Sequence, residues 1–69
     1  MTARQQQIAD IIEAFWREHW TSPNVRQLCE LACIASTSTV HHHLTLMTQI
    51  GILERKRVDR YRVLYSVSR

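Results

Sequence analysis

The sequence predicts a small α+β fold in which three helices are followed by a two-stranded β-hairpin. Three observations carry this reading. Apolar residues recur at helical spacing in three separate stretches. The one glycine, Gly51, falls where the third stretch stops. Beyond it, apolar and polar residues alternate. The 69 residues, 1–69, make one domain with a small core, since a chain of this length buries only about 60% of its unfolded surface.

Thr2 followed by Gln5 fits a capping box, each satisfying a backbone amide near the other. Ile8, Ile11, Ile12, Phe15 and Trp16 then form one buried stripe, which predicts a helix over Ala3–His19. Thr21-Ser22-Pro23-Asn24 breaks it, because Pro23 disfavours helix at Ser22. Asn24 can cap the next helix, with Gln27 three residues on. Val25, Leu28, Leu31 and Ala32 give that helix a short apolar face, ending near Cys33.

Ile34 sits in a tight connection, and Ser36-Thr37-Ser38-Thr39 supplies hydroxyls that start a helix. Val40, His43, Leu44, Met47 and Ile50 carry the third helix, residues 36–50, to the stop at Gly51. Ile52 and Leu53, then Tyr61, Val63, Tyr65 and Val67, read as two strands. The intervening Glu54-Arg55-Lys56-Arg57-Val58-Asp59-Arg60 predicts a hairpin with a basic tip.

Helices two and three lie about three residues apart, which is helix-turn-helix spacing. The hairpin that follows makes the fold a small winged helix-turn-helix. Such a fold suits duplex DNA: a helix fits the major groove, and arginines on a hairpin can neutralise phosphates or enter the minor groove. Charge agrees. Residues 1–35 carry three cations and four anions, whereas residues 36–69 carry six cations and two anions. Eight of the nine cations are Arg, whose planar fork suits phosphates and base edges.

Other classes fare worse. Residues are 45% hydrophobic and 22% charged, too apolar for a disordered chain, and no apolar run approaches the roughly 18 residues of a membrane span. The opening MTARQQQ lacks an apolar signal core, and two cysteines are too few for a disulfide scaffold, so a cytoplasmic setting is expected. There is no Gly-rich phosphate loop and no plausible nucleophile–base–orienter set, so neither an enzyme, a cofactor nor a small-molecule substrate is expected. His41-His42-His43 cannot share one metal ion, because successive helical residues point about 100° apart. His43 lies on the apolar face and is expected to pack there, while Cys29 and Cys33 are expected as small buried residues.

Thr2-Ala3-Arg4-Gln5-Gln6, Pro23-Asn24-Val25-Arg26, Ala35-Ser36-Thr37-Ser38-Thr39-Val40-His41-His42-His43-Leu44 and Gly51-Ile52-Leu53 together resemble the N-terminal DNA-binding domain of LexA repressors. The resemblance runs without gaps from about Thr2 to Leu53 and more loosely through the hairpin. It implies a bacterial or phage repressor, in the nucleoid or host cytoplasm, that binds a double-stranded DNA operator, usually as a homodimer. Carried over by position, it implies base reading by Ser36, Ser38, Thr39, His41 and His42. It places Arg26 near the backbone and gives the wing, 54–62, the cations Arg55, Lys56, Arg57, Arg60 and Arg62.

The chain departs from that family in three ways. Trp20 and Cys33 stand where the family usually has glycine, which leaves the two connections open to a different shape. Leu46 and Ile50 replace what are commonly a small and a charged residue. The family's self-cleaving serine–lysine half is missing, so the chain is expected to be either one domain of a longer protein or a stand-alone regulator. The competing reading is a winged-helix module that binds protein through Trp20, Leu46 and Ile50.

Overall fold

Three helices and one hairpin form in the expected order. A computed structural model describes residues 2–68; Met1 and Arg69, the latter counted among the cations of the second half, lie outside them. Helix α1 spans Ala3–His19, α2 Val25–Ala32 and α3 Thr37–Gln49, followed by strands β1 (Leu53–Arg57) and β2 (Val63–Val67).

The helix starts are those the side chains dictate. The Thr2 hydroxyl accepts the Gln5 amide at 3.1 Å, and Gln5 Oε1 accepts the Thr2 amide at 3.2 Å. This reciprocal bond accounts for the burial of Gln5, the one polar side chain in the interior among the described residues. Asn24 and Gln27 repeat the arrangement at 2.8 and 2.9 Å. Ser36 Oγ accepts the Thr39 amide at 3.4 Å and opens α3.

The helix ends hold a correction. Trp20 (φ 58°) and Cys33 (φ 57°) both adopt the left-handed conformation that glycine would have supplied, so the two connections keep that backbone shape. The Trp20 amide donates to the Trp16 carbonyl at 2.9 Å. At Cys33 the closure is a Schellman motif: the Ile34 amide reaches the Cys29 carbonyl at 2.9 Å and the Cys33 amide reaches Glu30 at 3.3 Å. Gly51 (φ 85°) closes α3 in the same way, with Ile52 bonded to Met47 and Gly51 to Thr48. Arg4 adds a tie between α1 and α2 by donating to the Ala32 carbonyl at 3.1 Å, a cation at a helix C-terminus.

Non-glycine residues in the left-handed region cost about 1–2 kcal/mol each. Trp20 is 84% exposed and Cys33 is exposed, so neither recovers much by packing. Trp20→Gly and Cys33→Gly should each raise stability by about 1 kcal/mol in urea titration, whereas Trp20→Ala, which keeps a Cβ, should not.

The core gathers Ile8, Ala9 and Ile12 from α1, Leu28 and Cys29 from α2, Val40, Leu44 and Met47 from α3, Leu53 from β1 and Tyr65 from β2. Ile11 and Trp16 are half-buried against it. On α2 the stripe turns from its expected position: Leu31 is 53% exposed and Cys29 takes the inward place. Of the two cysteines, only Cys29 is the small buried residue expected.

The strands pair antiparallel from Leu53↔Val67 to Arg57↔Val63. β1 packs on α3 and β2 on α1. The outer backbone of β2 is held by the helical layer: the Tyr65 amide donates to Ser22 Oγ at 3.0 Å, and Trp16 Nε1 donates to the Tyr65 carbonyl at 2.6 Å. These bonds brace the hairpin against α1 and the connection that follows it.

Candidate nucleic-acid interface

Burial of Val40, Leu44 and Met47 fixes which side of α3 faces outward. At about 100° per residue, the opposite side carries Ser38, His42, Thr45 and Gln49. All four are exposed. Thr39 and His41 are also exposed, on the two flanks of that stripe, and Ser36 is exposed at the cap. Thr45 and Gln49 escape a reading centred on the start of the helix. Their signal is the spacing from Ser38 and His42 on the face opposite the apolar residues.

His43 is half-buried, as its place on the apolar face implies, and its Nδ1 is buried without a hydrogen-bond partner among the described residues. Thr48 is committed locally, its hydroxyl donating to the Leu44 carbonyl at 2.7 Å.

The hairpin corrects the position of the basic residues. Glu54, Arg55, Lys56 and Arg57 belong to β1 rather than to the tip, which is formed by residues 58–62. The tip closes through the Val58 amide and the Arg62 carbonyl at 3.0 Å. Asp59 Oδ1 accepts the amides of Tyr61 and Arg62, both at 2.8 Å. Tyr61, expected in the second strand, therefore stands in the tip and is 88% exposed. A side chain that accepts two successive amides shapes a turn and withdraws them from a strand ladder.

Side chains alternate across the ladder, so Arg55 and Arg57 share the face of Leu53 and Tyr65, which looks toward the helices. Lys56 stands on the other face. Arg26 is exposed in the first turn of α2, and Arg60 and Arg62 are exposed on the tip. Among the described residues none of these six cations is in an ion pair; the one Arg–Glu bridge joins Arg17 to Glu13 on α1.

Between α3 and β1 runs a groove of about 350 Å³ lined by His41, Thr45, Thr48, Gln49, Arg55 and Tyr65. A larger one, about 570 Å³, lies between the end of α1 and β2 and takes no residue from α3. No set of three metal-ligating side chains converges among the described residues, and no helix is long and apolar enough to cross a membrane. Of the apolar trio, Trp20 and Ile50 are exposed at the ends of α1 and α3, but Leu46 is half-buried.

Residues 1–60 match the family model described as the LexA DNA binding domain. Among curated proteins, the chain is 42% identical over 57 residues to a LexA repressor of an Exiguobacterium species, covering 83% of this chain and 28% of that protein. It is 38% identical over 55 residues to the LexA repressor of Caldicellulosiruptor saccharolyticus, with 80% and 27% covered. It is 30% identical over 60 residues to that of Petrotoga mobilis, with 87% and 29% covered. The chain thus spans less than a third of the length of these relatives. No solved structure matches it.

Proposed function

This chain belongs to the LexA DNA-binding-domain family, and from that premise we propose that it is a sequence-specific binder of duplex DNA that represses transcription. One observation supports the reading above the rest: the outward polar stripe of α3 and Arg55, Lys56 and Arg57, none of them in an ion pair among the described residues, are carried on adjoining elements, α3 and β1. The helix supplies hydrogen-bonding groups without net charge, and the hairpin supplies charge. Direct readout and phosphate attraction call for that division.

In this proposal α3 lies in the major groove. Ser38 and His42 face base edges and Thr39 reaches from one flank, with Gln49 one face-repeat further along the helix, while His41 lies on the other flank, toward the hairpin. Ser36 holds the helix start and meets a phosphate. Arg57, Arg60 and Arg62 serve the backbone or the minor groove at the wing, Arg26 the backbone beside α2, and Lys56, on the outer face of β1, adds longer-range attraction.

Enrichment of random duplexes on the purified chain tests this. A recurring winner is expected, and a palindromic one would report two copies and their spacing. Ser38→Ala or His42→Ala should then cost about 1–3 kcal/mol of discrimination at one base position while leaving affinity for scrambled DNA in place. Equal binding of winner and scrambled duplex by the unaltered chain would overturn the assignment of α3.

A further inference from the structure

We propose that the groove between α3 and β1 is a saddle for one strand of the duplex, in which Arg55, His41 and Thr45 hold a backbone phosphodiester. This rests on the DNA-binding reading and names a site within it.

Each groove of a duplex is bounded by a phosphate backbone, and the minor groove begins where the major groove ends. A protein that lays a helix in the major groove and a hairpin on the neighbouring minor groove therefore straddles the backbone between them. In this fold the straddled space is the groove of about 350 Å³ lined by His41, Thr45, Thr48, Gln49, Arg55 and Tyr65.

Its chemistry is that of an anion site. The lining offers a guanidinium, an imidazole, hydroxyls and a carboxamide, and none of the six residues is acidic. Arg55 is exposed and has no ion-pair partner among the described residues, so its charge is unspent. The Thr48 hydroxyl already donates a hydrogen bond to the Leu44 carbonyl at 2.7 Å. Thr45, on the outward side, makes no such bond among the described residues and is the hydroxyl donor at hand.

The site is also held in place. Arg55 pairs with Tyr65 across the ladder. Tyr65 in turn is tied by its amide to Ser22 Oγ at 3.0 Å and by its carbonyl to Trp16 Nε1 at 2.6 Å. The guanidinium thus rides on a strand pair braced to α1, while His41 and Thr45 ride on α3, anchored by Val40 and Leu44. A phosphate bound between rigid elements loses little to reorganisation. The two exposed histidines of α3 then divide their work, His41 over the backbone and His42 over a base.

The test uses a duplex selected by the chain and a scrambled duplex of equal length. Arg55→Gln should weaken both by the same factor, about tenfold, and lower the slope of log Kd against log salt by about 0.9, the value for one lost phosphate contact. His41→Gln should also weaken both duplexes equally, unlike His42→Ala. Neutral methylphosphonate placed at single positions should identify one phosphate whose loss weakens the unaltered chain but not Arg55→Gln. Because Arg55 is exposed, its variant should keep the thermal midpoint. An unchanged salt slope in Arg55→Gln, or weakening confined to the selected duplex, overturns the saddle alone. Failure of the unaltered chain to bind any duplex overturns the DNA reading and the saddle with it.

Discussion

Leu44→Ala should leave much of the chain unfolded near 37 °C. Leu44 is fully buried at the centre of α3, in one cluster with Ile8, Ile12, Leu28, Val40, Met47 and Leu53. Truncating such a leucine costs about 2–5 kcal/mol, part from lost transfer and part from the cavity left behind. A domain below about 70–80 residues rarely holds more than about 3–5 kcal/mol in total. The loss is therefore comparable with the whole stability, and a urea titration followed by circular dichroism should show a midpoint near zero. Thr45→Ala, one position on and exposed, should stay within about 0.5 kcal/mol of the parent. Similar midpoints for the two variants would mean that α3 does not close the core.

The second large effect concerns binding. Arg57→Ala combined with Arg60→Ala should reduce affinity for any duplex by on the order of a hundredfold at 50 mM salt and lower the log–log salt slope by about 1.8. Each Arg that meets a phosphate releases about one counterion, and the gain from that release shrinks as salt rises. Arg57 ends β1 and Arg60 stands on the tip, both exposed and neither in an ion pair among the described residues. Their removal therefore leaves no buried partner stranded, and the fold should persist. Fluorescence anisotropy at four salt concentrations reads both quantities. A double variant with the parent's slope would take the wing off the DNA.

Residues whose effect is local were legible without the structure. Thr2 with Gln5, Asn24 with Gln27, Ser36 and Gly51 each satisfy or shape the backbone within a few positions, so their neighbours in sequence are their partners in space. The apolar rows of α1 and α3 were readable for the same reason. One stripe on a helix must face the core wherever the core lies.

The candidate site was only partly legible. Ser38, Thr39, His41 and His42 could be named from the start of the third helix, but Thr45 and Gln49 join them only once Val40, Leu44 and Met47 define the inward side. The basic run was seen, yet its division into a strand and a tip depends on Asp59 gathering the amides of Tyr61 and Arg62.

The order of residues alone specifies three helices, their starts, the stop at Gly51, the basic hairpin and the resemblance to a DNA-binding family. Each follows from short-range bonding or from a fixed period along the chain. It took the packed fold to show that Trp20 and Cys33 accept a left-handed backbone, that Leu31 yields its inward place to Cys29, and that Arg55 lines one groove with His41 and Thr45. The bends at Trp20 and Cys33 are closed by nearby carbonyls, but against the preference of any residue with a Cβ; for the other two the deciding neighbour is distant along the chain. Burial and the meeting of side chains depend on which surfaces the packed core brings together, and no local period encodes that.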